Sequence, residues 1–124
     1  PLLLQYWPRL AALGAPEALA QASPAAAPGT QLVLAVGMGR GGEARLALAG
    51  ALEAAGWAFV GLVHPSAVRA QLAQLAPTAQ VMAGAVVQPG AVLGAHTVVN
   101  TRASIDHDCH LEAGAFVGPG AVLC

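Results

Sequence analysis

The chain contains no lysine, and its five cations, Arg9, Arg40, Arg45, Arg69 and Arg102, are dispersed. A nucleic-acid surface needs clustered positive charge to displace counterions, so that class of function is excluded. Charged residues fill only 9% of the 124 positions and the formal net charge is −1, yet 56% of residues are apolar. That balance excludes a disordered chain. Two cysteines, Cys109 and Cys124, are too few for a disulfide framework, so a reducing cytoplasm is the expected compartment. Cys109 is expected to be buried. With aromatics at 4%, any core is thin-walled and built from alanine and branched aliphatics. The start of the chain lacks the basic region of a signal peptide. No charge occurs between Arg69 and Arg102, but the Gly, Pro, Gln, His and Asn residues of that segment exclude a membrane span.

What is present is a beat of six. Stepping by six from Leu75 gives Val81, Val87, Leu93, Val99, Ile105, Leu111, Val117 and Leu123, every one of them Leu, Val or Ile. Four residues after each of the first eight stands a small residue: Ala79, Ala85, Ala91, Thr97, Ala103, Cys109, Ala115 and Ala121. Neither a helix at 3.6 residues nor a strand at 2 sustains such a beat. A hexapeptide solenoid does, because each short strand turns a corner and returns an equivalent side chain to the interior. Arg69 falls on an inward-equivalent position, so the first coil is expected to be irregular. There is no initiator Met, and the repeat is still in phase at Cys124. The expectation is therefore an inactive fragment whose solenoid continues beyond the last residue.

Upstream the signals are of another kind. Pro8 and Pro16 each suit a first helical turn, predicting short helices near 8–13 and 16–22, and 23–30 reads as a loop. The run 31–36 is short and apolar and predicts a buried strand. Glu43 to Ala55 is rich in Ala and Leu, with an acid in its first turn and Gly56 just past its end, which predicts a helix. A second strand is expected over 57–63. These elements form a β-loop-α-β unit of a length suited to a parallel crossover.

Three groups of residues could carry chemistry. The loop 37–42 fits G-x-G-x-x-G between strand and helix, where glycines let backbone N–H groups approach a phosphate. It equally suits a plain glycine-rich turn, and no acid follows the second strand to hold a ribose. The second group is the run 100–110, which holds Asp106, His107, Asp108 and His110. His107 falls in the outward part of its repeat, where a flanking carboxylate can fix its tautomer and raise its basicity. From spacing alone, a solvated histidine on a polar turn is the more economical reading. Third, His96, His107 and His110 on a β-helix would suit a zinc site, but their spacings of eleven and three give them no common focus.

The run His64-Pro-Ser-Ala, then Val81 to Val87, then Val99-Asn-Thr, then Ile105-Asp-His-Asp-Cys resembles the NeuD/PglD-type nucleotide-sugar N-acetyltransferases. The resemblance covers residues from about 31 to the end. It implies a partial Rossmann-like βαβ portion over 1–63, holding a UDP-amino-sugar, followed by a left-handed parallel β-helix over 64–124. It also implies a homotrimer with acetyl-CoA between subunits, and no metal. His107 matches the family's general base and Asp108 its acidic neighbour, with a backbone N–H expected to steady the oxyanion. Asn100 and Gly37 match substrate-binding positions. Nine residues after the base the family often has a His against acetyl-CoA, and here that place is Phe116. The family's first Gly-rich loop and its ribose-binding acids are absent. Alternative functions are a sialic acid or sugar O-acetyltransferase, a non-catalytic scaffold and a carbonic anhydrase-like zinc enzyme. The identity of the sugar is not written in these residues.

Overall fold

The structure, a computed structural model, describes residues 24–26, 28–38 and 42–124. The helices expected near 8–13 and 16–22, and Gly39 to Gly41 of the glycine loop, lie outside those residues. Within the expected loop, Pro24–Ala26 makes one 3-10 turn. The next unit comprises strand β1 (Gln31–Leu32), helix α1 (Glu43–Ala54) and strand β2 (Ala58–Phe59), with the two strands paired in parallel. Helix α1 begins after Gly42, whose φ of +73° needs no side chain, and has Glu43 in its first turn. Its end is a Schellman motif. Gly56 at φ +92° donates its N–H to Glu53 O, and Trp57 donates to Leu52 O, satisfying carbonyls the helix leaves open. Leu32, Leu52 and Trp57 form a small core beneath this motif.

Both expected strands are shorter than predicted. β1 stops at Leu32 because the carbonyls of Leu34 and Val36 accept side-chain donors, Arg45 and Gln80, in place of a strand partner. The strand expected over 57–63 divides at Gly61. Ala58–Phe59 pairs with β1, whereas β3 (Leu62–Val63) pairs with β6 (Gln80–Val81) and belongs to the solenoid. Gly61 is required at the division, since a Cβ there would fall on the Ala79 carbonyl oxygen.

From β3 onward the chain is a parallel β-solenoid of somewhat over three turns. Its strands are β4 (Val68–Arg69), β5 (Gln74–Leu75), β6, β7 (Val86–Val87), β8 (Val92–Leu93), β9 (Val98–Val99), β10 (Ser104–Ile105), β11 (His110–Leu111), β12 (Phe116–Val117) and β13 (Val122–Leu123). They form three faces, ordered β12-β9-β6-β3, β13-β10-β7-β4 and β11-β8-β5. Partners lie eighteen residues apart, as in Val87↔Ile105 and Ile105↔Leu123, so three hexads make one coil. Val81, Val87, Leu93, Val99 and Ile105 fill the interior almost without solvent contact, and the alanines four positions on let the backbone close around them. Thr97 fits among the alanines because its hydroxyl donates to Gly94 O at 2.7 Å. Two expectations are corrected. The first coil is regular in its backbone, with Arg69 opposite Val87 in register, because the exposed Arg69 side chain turns to donate to Ala73 O. Cys109 is half-buried rather than buried.

Each corner is a tight turn, and from Gly84 to Gly120 its third residue has positive φ, as a type II turn requires. Glycine occupies four of these seven corners, while His96, Arg102 and Asp108 take φ of 57° with a side chain present. That backbone costs on the order of 1 kcal/mol for a residue other than glycine. The chain therefore accepts strain at three corners, one of which carries Asp108.

Candidate functional site

His107 and Asp108 form the corner between β10 and β11, at the second and third positions of the turn. Asp106 fixes its start by accepting the His107 N–H at 2.8 Å. The His107 ring meets the Asp108 carboxylate with Nδ1 3.0 Å from Oδ2. A carboxylate only accepts, so Nδ1 carries the hydrogen and donates it, which leaves the Nε2 lone pair free. Both side chains stand in solvent, at 72% and 80% exposure, so the pair is presented outward and adds nothing to the core. The hydrogen bond to Asp108, then the charges of Asp106 and Asp108, push the His107 pKa above its ordinary 6.5. The arrangement is that of an imidazole whose basicity is strengthened by its neighbours.

Gly37, Asn100 and Phe116 come together elsewhere. They line one cleft of about 210 Å³ with Met38, Gln80 and Met82, between the chain after β1 and the first-named face of the solenoid. Phe116 follows from the register, since it pairs with Val98 and so stands beside Asn100, and it is 42% exposed. Asn100 opens its own turn by accepting the Thr101 N–H at 2.7 Å. Ligand pockets for small molecules usually hold about 300–1,000 Å³, so this cleft accommodates only part of a larger ligand. His107 is not among its walls. It stands one corner further along the chain, between β10 and β11, whereas the cleft lies against the face that carries β6, β9 and β12.

Arg45 is the residue that sequence reasoning missed. It is 1% exposed and lines the cleft, and its guanidinium donates to Val36 O at 3.1 Å, to His96 O at 2.7 Å and to Leu34 O at 3.4 Å. Burial lowers its pKa, and among the described residues no carboxylate pairs with it. With Gln80 donating to Leu34 O at 2.8 Å, it fastens the β-α-β unit to the solenoid. His96 serves the same junction. Its buried ring reaches Glu53 of α1 at 3.0 Å and meets Phe59 edge to face at 5.4 Å. His96, His107 and His110 thus lie on different parts of the solenoid, and among the described residues no three His, Cys, Asp or Glu side chains converge on a metal position. No helix among these residues is long and apolar enough to cross a membrane.

No family model matches the chain, and no curated protein does. Solved structures do. The acetyltransferase domain of PglB from Neisseria gonorrhoeae in complex with acetyl coenzyme A is 34% identical, with a TM-score of 0.77, over 94% of this chain and 54% of that one. A second structure of the same domain matches with a TM-score of 0.78. A histidine-to-alanine mutant of GDP-perosamine N-acetyl transferase from Caulobacter crescentus, in complex with CoA and GDP-perosamine, is 29% identical with a TM-score of 0.74. It is matched over 86% of this chain and 48% of its own. The chain therefore spans about half the length of the structures it matches. By fold and sequence together, the chain is similar to the hexapeptide-repeat sugar N-acetyltransferases, in keeping with the NeuD/PglD-type resemblance of its motifs.

Proposed function

We propose that the protein to which this chain belongs transfers an acetyl group from acetyl-CoA to the amine of a nucleotide-linked amino sugar. The observation that carries this reading is the outward-facing His107–Asp108 pair, in a chain similar over most of its length to a domain that binds acetyl coenzyme A. Acetyl-CoA supplies an activated acetyl thioester. His107 Nε2 takes the proton from the amine as it attacks the thioester carbonyl, Asp108 steadies the imidazolium that results, and as the C–S bond breaks the imidazolium returns that proton to the departing CoA sulfur. Phe116 offers an exposed aromatic face on which a pantetheine arm can pack. Gly37 admits the nucleotide-sugar close to the backbone, since nothing lies within 4 Å of where its side chain would be, and Asn100 meets the sugar.

The cleft and the His107 corner are one corner apart on the coil, so one copy does not bring them together. A closed ring of three copies does, by setting the His107 corner of one against the cleft of the next. The proposal therefore includes a homotrimer of left-handed solenoids in the cytoplasm, with the complete site formed between subunits.

The test uses the full-length protein. Free thiol released from acetyl-CoA is followed against UDP- and GDP-linked amino sugars, with the matching hydroxy sugars alongside, and mass is measured by analytical ultracentrifugation. Turnover only with an amino sugar, by a trimer, is the expected result. Turnover only with a hydroxy sugar would move the reading to O-acetylation, and none with either would leave a scaffold.

A further inference from the structure

Eighteen residues before Asp108, and so directly beneath it in the preceding coil, stands Gly90. Register places it there, since Val87 pairs with Ile105 and Val92 with His110 on either side of the two corners. The coils are bonded at this corner, where the Asp108 N–H donates to Pro89 O at 3.2 Å. A Cβ built on Gly90 would fall on Asp108 Oδ1 and lie 3.2 Å from Cγ. One carboxylate oxygen thus occupies the space left by the missing side chain, while the other meets His107 Nδ1.

We propose that Gly90 is a positioning residue for the catalytic pair: its lack of a side chain makes the seat in which the Asp108 carboxylate stands against His107. This rests on the acetyltransferase reading of the same site. The other glycine corners supply a comparison. Gly90 has φ +77°, so any L-residue there pays a backbone penalty as well as the collision, whereas Gly84 at φ +66° meets only the Arg102 Cγ at 3.3 Å, part of a flexible side chain. Gly84→Ala therefore carries the backbone penalty with little else. The groups facing His107 are Asp106 and Asp108 on its own corner, and the turn Gln88-Pro89-Gly90 beneath them carries no charge.

Two readouts on the full-length protein test the proposal. The His107 ring is titrated by NMR, and kcat/KM for acetyl transfer is measured, in wild type, Gly90→Ala, Gly84→Ala, Asp108→Ala, His107→Ala and the double variant Gly90→Ala/Asp108→Ala. Gly90→Ala should lower the His107 midpoint and reduce kcat/KM by the same factors as Asp108→Ala, with Gly84→Ala close to wild type in both. In the Asp108→Ala background, Gly90→Ala should add no further loss beyond that of Gly84→Ala, as expected when one residue acts through the other. A wild-type midpoint and wild-type kcat/KM in Gly90→Ala would overturn the proposal. So would losses equal to those of Gly84→Ala. Should Gly90→Ala not fold, Gly90→Asn brings the same Cβ in a residue that accepts positive φ more readily and is judged by the same criteria. If wild type shows no acetyl transfer the acetyltransferase reading fails, and if His107→Ala remains active His107 is not the base, while in either case the NMR midpoint still decides where Asp108 stands.

Discussion

Replacing Arg45 by Met removes a buried guanidinium while keeping most of its volume, and the hydrogen bonds allow the cost to be apportioned. The Leu34 carbonyl loses a long bond of 3.4 Å but keeps the Gln80 amide at 2.8 Å, so little is lost there. Val36 is 40% exposed, so water replaces Arg45 at its carbonyl for about 0.5–1.5 kcal/mol. The loss falls on the carbonyl of buried His96, whose bond from a charged donor at 2.7 Å is worth roughly 1.5–3 kcal/mol. Against these stands the relief of no longer burying a cation, which returns part of the total. The expected net is a destabilisation of about 2 kcal/mol, lowering the urea midpoint by about 1 M at a slope of 1–3 kcal/mol/M. Amide hydrogen exchange should quicken around 34–36 and 95–97, where the latch is lost, before it quickens at the Val87–Ile105 ladder. An unchanged or raised midpoint would refute this account. The desolvation cost would then outweigh the three bonds, and Arg45 would be retained for its charge at the cleft rather than for the junction.

Three further outcomes are expected. His107→Ala should lower kcat/KM by about 10²- to 10⁴-fold with an unchanged circular dichroism spectrum, because the ring is solvent-exposed and supports no packing. Near-full activity would remove His107 from the mechanism. In the wild type the raised His107 pKa places the acid limb of kcat/KM above pH 6.5, and Asp108→Ala should move that limb to lower pH. Activity is lost as pH falls because the protonated ring cannot accept; a limb that stays in place would show that Asp108 does not tune the base. Phe116→Ala should raise KM for acetyl-CoA and leave the pH profile where it is, as steady-state kinetics at several pH values would reveal.

Much of the solenoid was written in residue spacing, because period and burial are the same fact in such a fold. The nine-fold series from Leu75 marks the inward positions, and all of Val81, Val87, Leu93, Val99 and Ile105 are enclosed. The place where the solenoid begins was concealed by one residue. Stepping back from Leu75 meets Arg69 before Val63, so the series seemed to end, although β3 and β4 are in register. A backbone ladder does not require that the side chain at an inward-equivalent position be apolar, as long as that side chain can leave the interior. Arg69 does so by turning to the Ala73 carbonyl. The exposed His107–Asp108 pair was legible for a related reason, since neighbours in sequence on one corner are neighbours in space.

What sequence could not indicate was contact between the two units. Arg45 lies on a helix read as an ordinary Ala/Leu face, and nothing in a 3.6-residue period distinguishes a cation that will be enclosed from one that will be solvated. Its burial depends on carbonyls at Leu34, Val36 and His96, which lie nine to fifty-one residues away. Gly90 is intermediate. Once three hexads are known to make a coil, subtracting eighteen from Asp108 identifies it, but the six-residue pattern alone does not. The separation of the cleft from the His107 corner is of a third kind, because no pattern within one chain encodes the neighbour that would join them. Phe116 and Asn100 meet through the register between adjacent coils, whereas the base stands on the next corner. If the chemistry requires both, the complete site is a property of the assembly, and mixing His107→Ala with Asn100→Ala protein should restore part of the activity that each lacks alone.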